Sequence, residues 1–155
     1  MTPTRATLVL IAAGGSAVLL AAAFVTQAYG WAPCKLCLWQ RWPHGAAVLA
    51  GFAALALPGA VLTVLGALSA LTTAGIGAYH GGVERGWWPG PDSCTGTGLS
   101  GLDGASLLPG SGDAPALVMC DSFQPFLFGL SMANWNMLAS LALAAVWLMA
   151  ARARA

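Results

Sequence analysis

Three stretches of this chain contain no Asp, Glu, Lys, Arg or His: Leu8–Ala28, Ala60–Tyr79 and Ser131–Ala151. Each approaches the roughly 20 residues that an α-helix needs to cross about 30 Å of hydrocarbon. A fourth apolar stretch, Trp42–Leu57, is shorter and carries His44. At about 1.5 Å per residue it reaches across only if its helix starts nearer Leu36. Pro58-Gly59 leaves room for no more than a tight turn, so the second and third spans form an antiparallel hairpin. The pattern predicts an all-α membrane protein, a four-transmembrane-helix bundle with spans over about 8–28, 40–57, 60–80 and 131–151. Outer loops then cover 29–39 and 81–130, the second much the longer.

Composition agrees with a lipid environment. Of the 155 residues, 58% are hydrophobic and 7% charged, against about 25% charged in soluble domains. That little charge does not cover a water-exposed surface. The net charge of +1 and the lack of a basic cluster argue against a nucleic-acid partner. The length suits one domain. Arg5 before the first stretch and Thr26-Gln27-Ala28 at its end resemble a secretory signal. The apolar run is longer than the ~7–15 residues of a signal core, so it is read as a span.

Orientation comes from cysteine rather than charge. Arg5, Arg152 and Arg154 on the terminal side balance Lys35, Arg41 and Arg85 on the other, and all five acidic residues fall in the second outer loop. All four cysteines, Cys34, Cys37, Cys94 and Cys120, lie in the two loops opposite the termini. Disulfide chemistry belongs to an oxidising compartment, which places these loops outside and both termini in the cytoplasm. Trp31, Trp39, Trp42, Trp87, Trp88 and Trp135 flank the outer span ends as an interfacial belt, whereas Trp147 lies near the inner end of the last span. Pro89-Gly90-Pro91-Asp92 and Pro109–Asp113 read as turns, and apolar Ala116–Phe128 as a short interfacial helix interrupted by Pro125. Gly66, Ala70 and Ala74 allow close packing of the third span.

The chemistry centres on Pro33-Cys34-Lys35-Leu36-Cys37. A Cys-x-x-Cys disulfide closes a very short ring, removes little entropy from the unfolded chain and is a poor staple. Exposed or strained disulfides of this kind are the oxidising ones. Haem attachment needs His after the second Cys, where Leu38 stands. A four-cysteine zinc site lacks a second Cys-x-x-Cys, so no metal is expected. A purely structural pair stays open. If the second helix begins near Cys37, then Cys37, Arg41 and His44 share one face, and helix end and guanidinium both favour a thiolate. Pro43 either kinks that helix or sits in its first turn. Two electrons leaving a dithiol need an acceptor, and the chain has no nucleotide-binding glycine motif. A membrane quinone is the acceptor at that depth, with Arg41 as donor to its carbonyl and His44, on the same face, as a further candidate.

Pro33-Cys34-Lys35-Leu36-Cys37-Leu38-Trp39-Gln40-Arg41 resembles the P-C-x-L-C-x-x-Q-R signature of the DsbB/DsbI family. Gly129–Asn136 is similar to that family's motif opening the last span, as is Tyr79-His80-x-Gly82-Val83-Glu84 with Trp88-x-Gly90-Pro91 and Cys94. The resemblance covers the whole chain and implies a quinone-dependent thiol oxidase of the bacterial inner membrane, its cysteine loops in the periplasm. By resemblance, Cys94 and Cys120 form a disulfide that oxidises a thioredoxin-like, DsbA-like partner, and Cys94 makes the mixed disulfide. Cys120 then attacks Cys34, and Cys37 is released beside a quinone (ubiquinone or menaquinone), with Arg41 assisting and His80 near the quinone. Glu84 reads as a solvated loop charge or a structural residue beside Arg85. Gly, Ser and Pro around Cys94 predict an accessible sulfur. Lys35 departs from the usual apolar residue between the cysteines. A vitamin-K-epoxide-reductase-like enzyme is the competing class, but it places its Cys-x-x-Cys at the end of a late span. A thiol-reducing transporter usually needs cysteines within its spans, and none is there. A non-catalytic, disulfide-stapled scaffold predicts no quinone reduction.

Overall fold

The computed structural model describes residues 3–57, 59–95 and 118–153. Four helices carry the fold: α1 Arg5–Ala28, α2 Lys35–Ala56, α3 Val61–Glu84 and α4 Met132–Arg152. Each sequential pair packs together and α1 closes onto α4, so the helices form a ring. Three of them, α1, α3 and α4, are long and apolar enough to cross a membrane. α2 has comparable length but holds Lys35, Gln40, Arg41 and His44 in its N-terminal half.

The helix starts follow local capping chemistry. Thr4 accepts the Thr7 N–H and Ser131 accepts the Asn134 N–H, satisfying N–H groups that a first turn leaves free. α2 uses a cysteine instead: Cys34 Sγ accepts the Cys37 N–H at 3.2 Å. This cap starts α2 at Lys35, five residues before the expected span, and gives it the length that Trp42–Leu57 lacks. Pro43 therefore lies inside the helix, not in its first turn. Its missing N–H leaves the Trp39 carbonyl without its intrahelical donor. At the other end, Arg5 donates to the Ala54 carbonyl at 2.9 Å and the Gly59 carbonyl at 2.8 Å, fastening α1 across the α2–α3 turn.

The inner core is built on Trp147, which is 0% exposed, among Val9, Ala12, Ala54, Ala67 and Ala70. Gly66 makes room for it: a Cβ there would lie 2.6 Å from the indole. Trp147 is thus a core residue, whereas Trp31, Trp39, Trp42, Trp87 and Trp88 are exposed.

The second loop differs from expectation in two places. α3 continues to Glu84, which is half-buried, its side chain 7% exposed, rather than solvated. Among the described residues of Ala116–Phe128 there is no helix. Pro125–Leu127 instead pairs antiparallel with Leu130–Ser131. Phe128 and Gly129 both have positive φ, 53° and 73°, as a two-residue hairpin turn requires. Pro125 opens the first strand, where its missing N–H is tolerated. The expected turn at Pro109–Asp113 lies outside the described residues.

Candidate redox site

The site forms where the start of α2, the end of α3 and the cysteine-bearing loop meet. Cys34, Leu36, Val83, Cys94 and Cys120 make one buried apolar cluster, with Cys37 and Val118 against it. Cys94 and Cys120 are joined by a disulfide, and the Cys120 N–H donates to the Cys94 carbonyl at 2.6 Å. Cys34 and Cys37 are free thiols with sulfurs 3.0 Å apart. Two cysteine pairs distant in sequence thus share one cluster, one pair oxidised and one reduced.

The tyrosine–tryptophan segment places the second pair. Trp88 donates to the Tyr79 carbonyl at 2.8 Å, and the Tyr79 hydroxyl donates to the Pro89 carbonyl at 2.9 Å. Any Cβ on Gly82 would collide with the Trp88 ring, which explains the glycine. This fold-back lets the turn closed by the Cys94 N–H and the Pro91 carbonyl bring Cys94 onto Cys34. Lys35 adds a tie by donating to Ser93 Oγ at 2.8 Å. Cys94 is consequently 3% exposed and Cys120 0%. The turn-rich sequence around Cys94 suggested an exposed sulfur, whereas Cys94 is buried in one cluster with Val83 and Cys34.

The dithiol has divided proton affinities. A hydrogen bond from the Cys34 thiol lowers Cys37 to about 7, with burial opposing and the Arg41 charge assisting. The same hydrogen bond, followed by burial, holds the Cys34 proton well above the usual thiol range. Both sulfurs lie at the N-terminal start of α2, before its apolar stretch, and its first turn supports the negative charge.

The expected α2 face is divided between two neighbours. Arg41 turns to α1, donating to Gln27 Oε1 at 2.6 Å and to the Ala23 carbonyl at 3.1 Å, over Phe24. Its Nε–H is buried without a partner. His44 turns to α4, with Nε2 2.8 Å from Asn136 Oδ1, and its Nδ1 is likewise buried and unpartnered. His80, from α3, joins the thiols: Nε2 is 3.5 Å from Cys34 Sγ and Nδ1 is 3.1 Å from Gln40 Nε2.

Residues outside the expected set connect these groups. Asn136 Nδ2 donates to Gln40 Oε1 at 2.7 Å and to Thr73 Oγ1 at 3.1 Å. Thr73 donates to the Gln40 carbonyl, and Gln40 Nε2 donates to the Leu36 carbonyl at 3.2 Å. Beyond His80, Glu84 Oε1 is 3.8 Å from Nε2, and Ser131 Oγ donates to Glu84 Oε2. Gln40 and Asn136 stand within the two quoted motifs, which was their only sequence signal. Thr73 carried none.

The Cys34, Cys37 and His80 ligand atoms lie within 4.8 Å of one another, close enough to hold a soft metal ion. The hydrogen bonds oppose that use. Because Gln40 Nε2 donates to Nδ1, the neutral ring carries its proton on Nε2, where a metal would need a lone pair.

Residues 4–150 match the family of Disulfide bond formation protein DsbB. The chain belongs to the DsbB family. No curated protein and no solved structure gives a significant match. DsbB membership identifies a disulfide-generating membrane oxidoreductase acting on thiols, in keeping with three helices able to cross a membrane and two cysteine pairs in one cluster.

Proposed function

We propose that this DsbB-family chain is a four-span bacterial inner-membrane enzyme. It reoxidises a periplasmic, thioredoxin-fold DsbA-like partner and passes the electrons to membrane quinone. The carrying observation is that a Cys94–Cys120 disulfide and a Cys34/Cys37 dithiol share one buried cluster. A disulfide-stapled scaffold gives no reason for an unbonded pair there. Sharing one cluster supports thiol–disulfide exchange between the pairs, a reaction in which a thiolate attacks a neighbouring disulfide sulfur. α2 packs beside α1 and α3, supporting its reading as the fourth span. Cysteine loops in the periplasm and termini in the cytoplasm follow from the chemistry of the cluster.

The residues fit a quinone. Arg41 Nε and His44 Nδ1 are buried nitrogens without partners, one and two turns along α2 from Cys37. Orphaned buried polar atoms are costly unless a ligand satisfies them. A quinone bound there supplies a two-electron, two-proton acceptor. Arg41 Nε–H would donate to a carbonyl of such a quinone, with the guanidinium anchored on Gln27 and Ala23. Cys37 faces the site as the thiolate, Cys34 closes the disulfide, and His80 borders the site from the thiol side through Gln40 and Asn136.

Anaerobic mixing of purified protein, quinone and a reduced thioredoxin-fold partner tests this. Quinone absorbance should fall in step with one partner disulfide formed per quinone reduced. A partner lacking its resolving cysteine should be trapped on Cys94. Partner oxidation without loss of quinone, or trapping on Cys34 or Cys37, would overturn the reading.

A further inference from the structure

In the exchange just proposed, Cys34 must become a leaving group, and it is 4% exposed, so bulk solvent gives its charge little support. Once Cys120 has attacked Cys34 and displaced Cys37, the thiolate of Cys94 attacks Cys120. The Cys94–Cys120 bond forms, the Cys34–Cys120 bond breaks, and Cys34 departs with the electron pair. The proton given up when Cys94 ionised is restored to the Cys34/Cys37 pair from water, and no outside oxidant or reductant takes part.

The hydrogen-bond chain around His80 has a definite direction. The Leu36 carbonyl only accepts, so the Gln40 group facing it is the amide NH2, and its second N–H points to His80 Nδ1. Thr73 spends its hydroxyl proton on the Gln40 carbonyl, so Asn136 must present its NH2 to Thr73, and that amide also donates to Gln40 Oε1. Each amide orientation is therefore fixed by a backbone carbonyl rather than chosen. Nδ1 accepts, and Nε2–H faces Cys34 Sγ at 3.5 Å.

We infer that His80 is a catalytic residue, held by Gln40 as the Nε2–H tautomer to donate a hydrogen bond to Cys34 sulfur as it leaves. Two other observations support this. The Cys37 N–H reaches the same sulfur at 3.2 Å, so two donors converge on one atom. Glu84 Oε1, 3.8 Å from Nε2, offers the N–H an alternative acceptor when Cys34 is in a disulfide. The titratable groups that face the His80 ring are Cys34, with Cys37 hydrogen-bonded to it, and Glu84, and the Cys120 backbone is a further hydrogen-bond partner of the ring. The outer part of α4, Met132 to Asn136, has no titratable group.

The inference rests on the proposed exchange, but its test needs neither partner nor quinone. In a Cys37→Ser background, alkylation of Cys34 is followed against pH, with wild-type position 80, His80→Leu and His80→Gln. Gln supplies an acceptor for Gln40 and a donor for Cys34, whereas Leu supplies neither. Loss of one charge-assisted hydrogen bond should move the Cys34 profile up by about one to two pH units in His80→Leu, with near-full rescue in His80→Gln. An unmoved profile in a folded His80→Leu protein, or an upward shift that His80→Gln does not rescue, would overturn the inference. Stoichiometric zinc binding by the reduced protein that needs both Cys34 and His80 would do the same, since Nε2 would then be a lone pair. A normal alkylation result with no quinone reduction would instead sink the proposed function alone.

Discussion

Arg41→Lys separates charge from geometry at the proposed quinone site. The guanidinium places one N–H on Gln27 Oε1 at 2.6 Å and another on the Ala23 carbonyl at 3.1 Å, leaving Nε–H free and buried. A lysine ammonium keeps the charge and can satisfy one α1 acceptor, but its donors radiate from a single atom and none lies where Nε was. The contacts to α1 are partly exposed, so losing one costs about 1 kcal/mol or less and unfolding in detergent should change little. Losing a donor aimed at developing charge costs more, about 2–4 kcal/mol, or roughly 30-fold to 1,000-fold in kcat/KM for quinone. Steady-state quinone titration measures that loss, and stopped-flow oxidation of the partner by Cys94–Cys120 should stay within about twofold of wild type, because no Arg41 contact touches that pair. Gln27→Ala is the control: it removes the anchor and leaves Nε–H in place. If Gln27→Ala reproduces the full loss, Arg41 acts through α1. If Arg41→Lys leaves quinone kinetics unchanged, the unpartnered Nε is not a quinone donor.

Three further outcomes follow from the geometry. Because the Cys34 thiol lowers Cys37 to about 7, alkylation of the reduced protein should map first to Cys37, rising with pH through about 7 and falling away below it; Cys34→Ala should move that midpoint up towards the ordinary value of 9.0. Gly82→Ala should push Trp88 off α3 and loosen the Cys94 turn, so reduction of Cys94–Cys120 by a small thiol should accelerate several-fold in a gel-shift assay; an unchanged rate would mean Trp88 does not hold the loop. Gly66→Ala should force the Trp147 ring aside and cost about 1–3 kcal/mol by overpacking, read as a lower thermal midpoint with quinone kinetics unchanged.

Much of this protein is determined locally and was legible for that reason. Uncharged stretches long enough to span lipid set three helices, since solvent preference is additive along a segment. The small residues Gly66, Ala70 and Ala74 marked a close-packed face, and Trp147 now fills it. The Cys-x-x-Cys marked one side of the cysteine cluster because its short ring makes a poor staple. Tertiary structure decided what depends on groups far apart in sequence. A cysteine cap lengthened α2. A tryptophan folded over Gly82 buried Cys94 where turn residues alone suggested exposure. Arg41 and His44, on neighbouring turns, were sent to different helices by Gln27 and Asn136. His80 went to the thiols because Gln40 occupies its other nitrogen. Polar side chains buried among apolar helices take whichever partner packing brings within hydrogen-bond reach, and that partner, unlike a span, has no signature in the residues beside it.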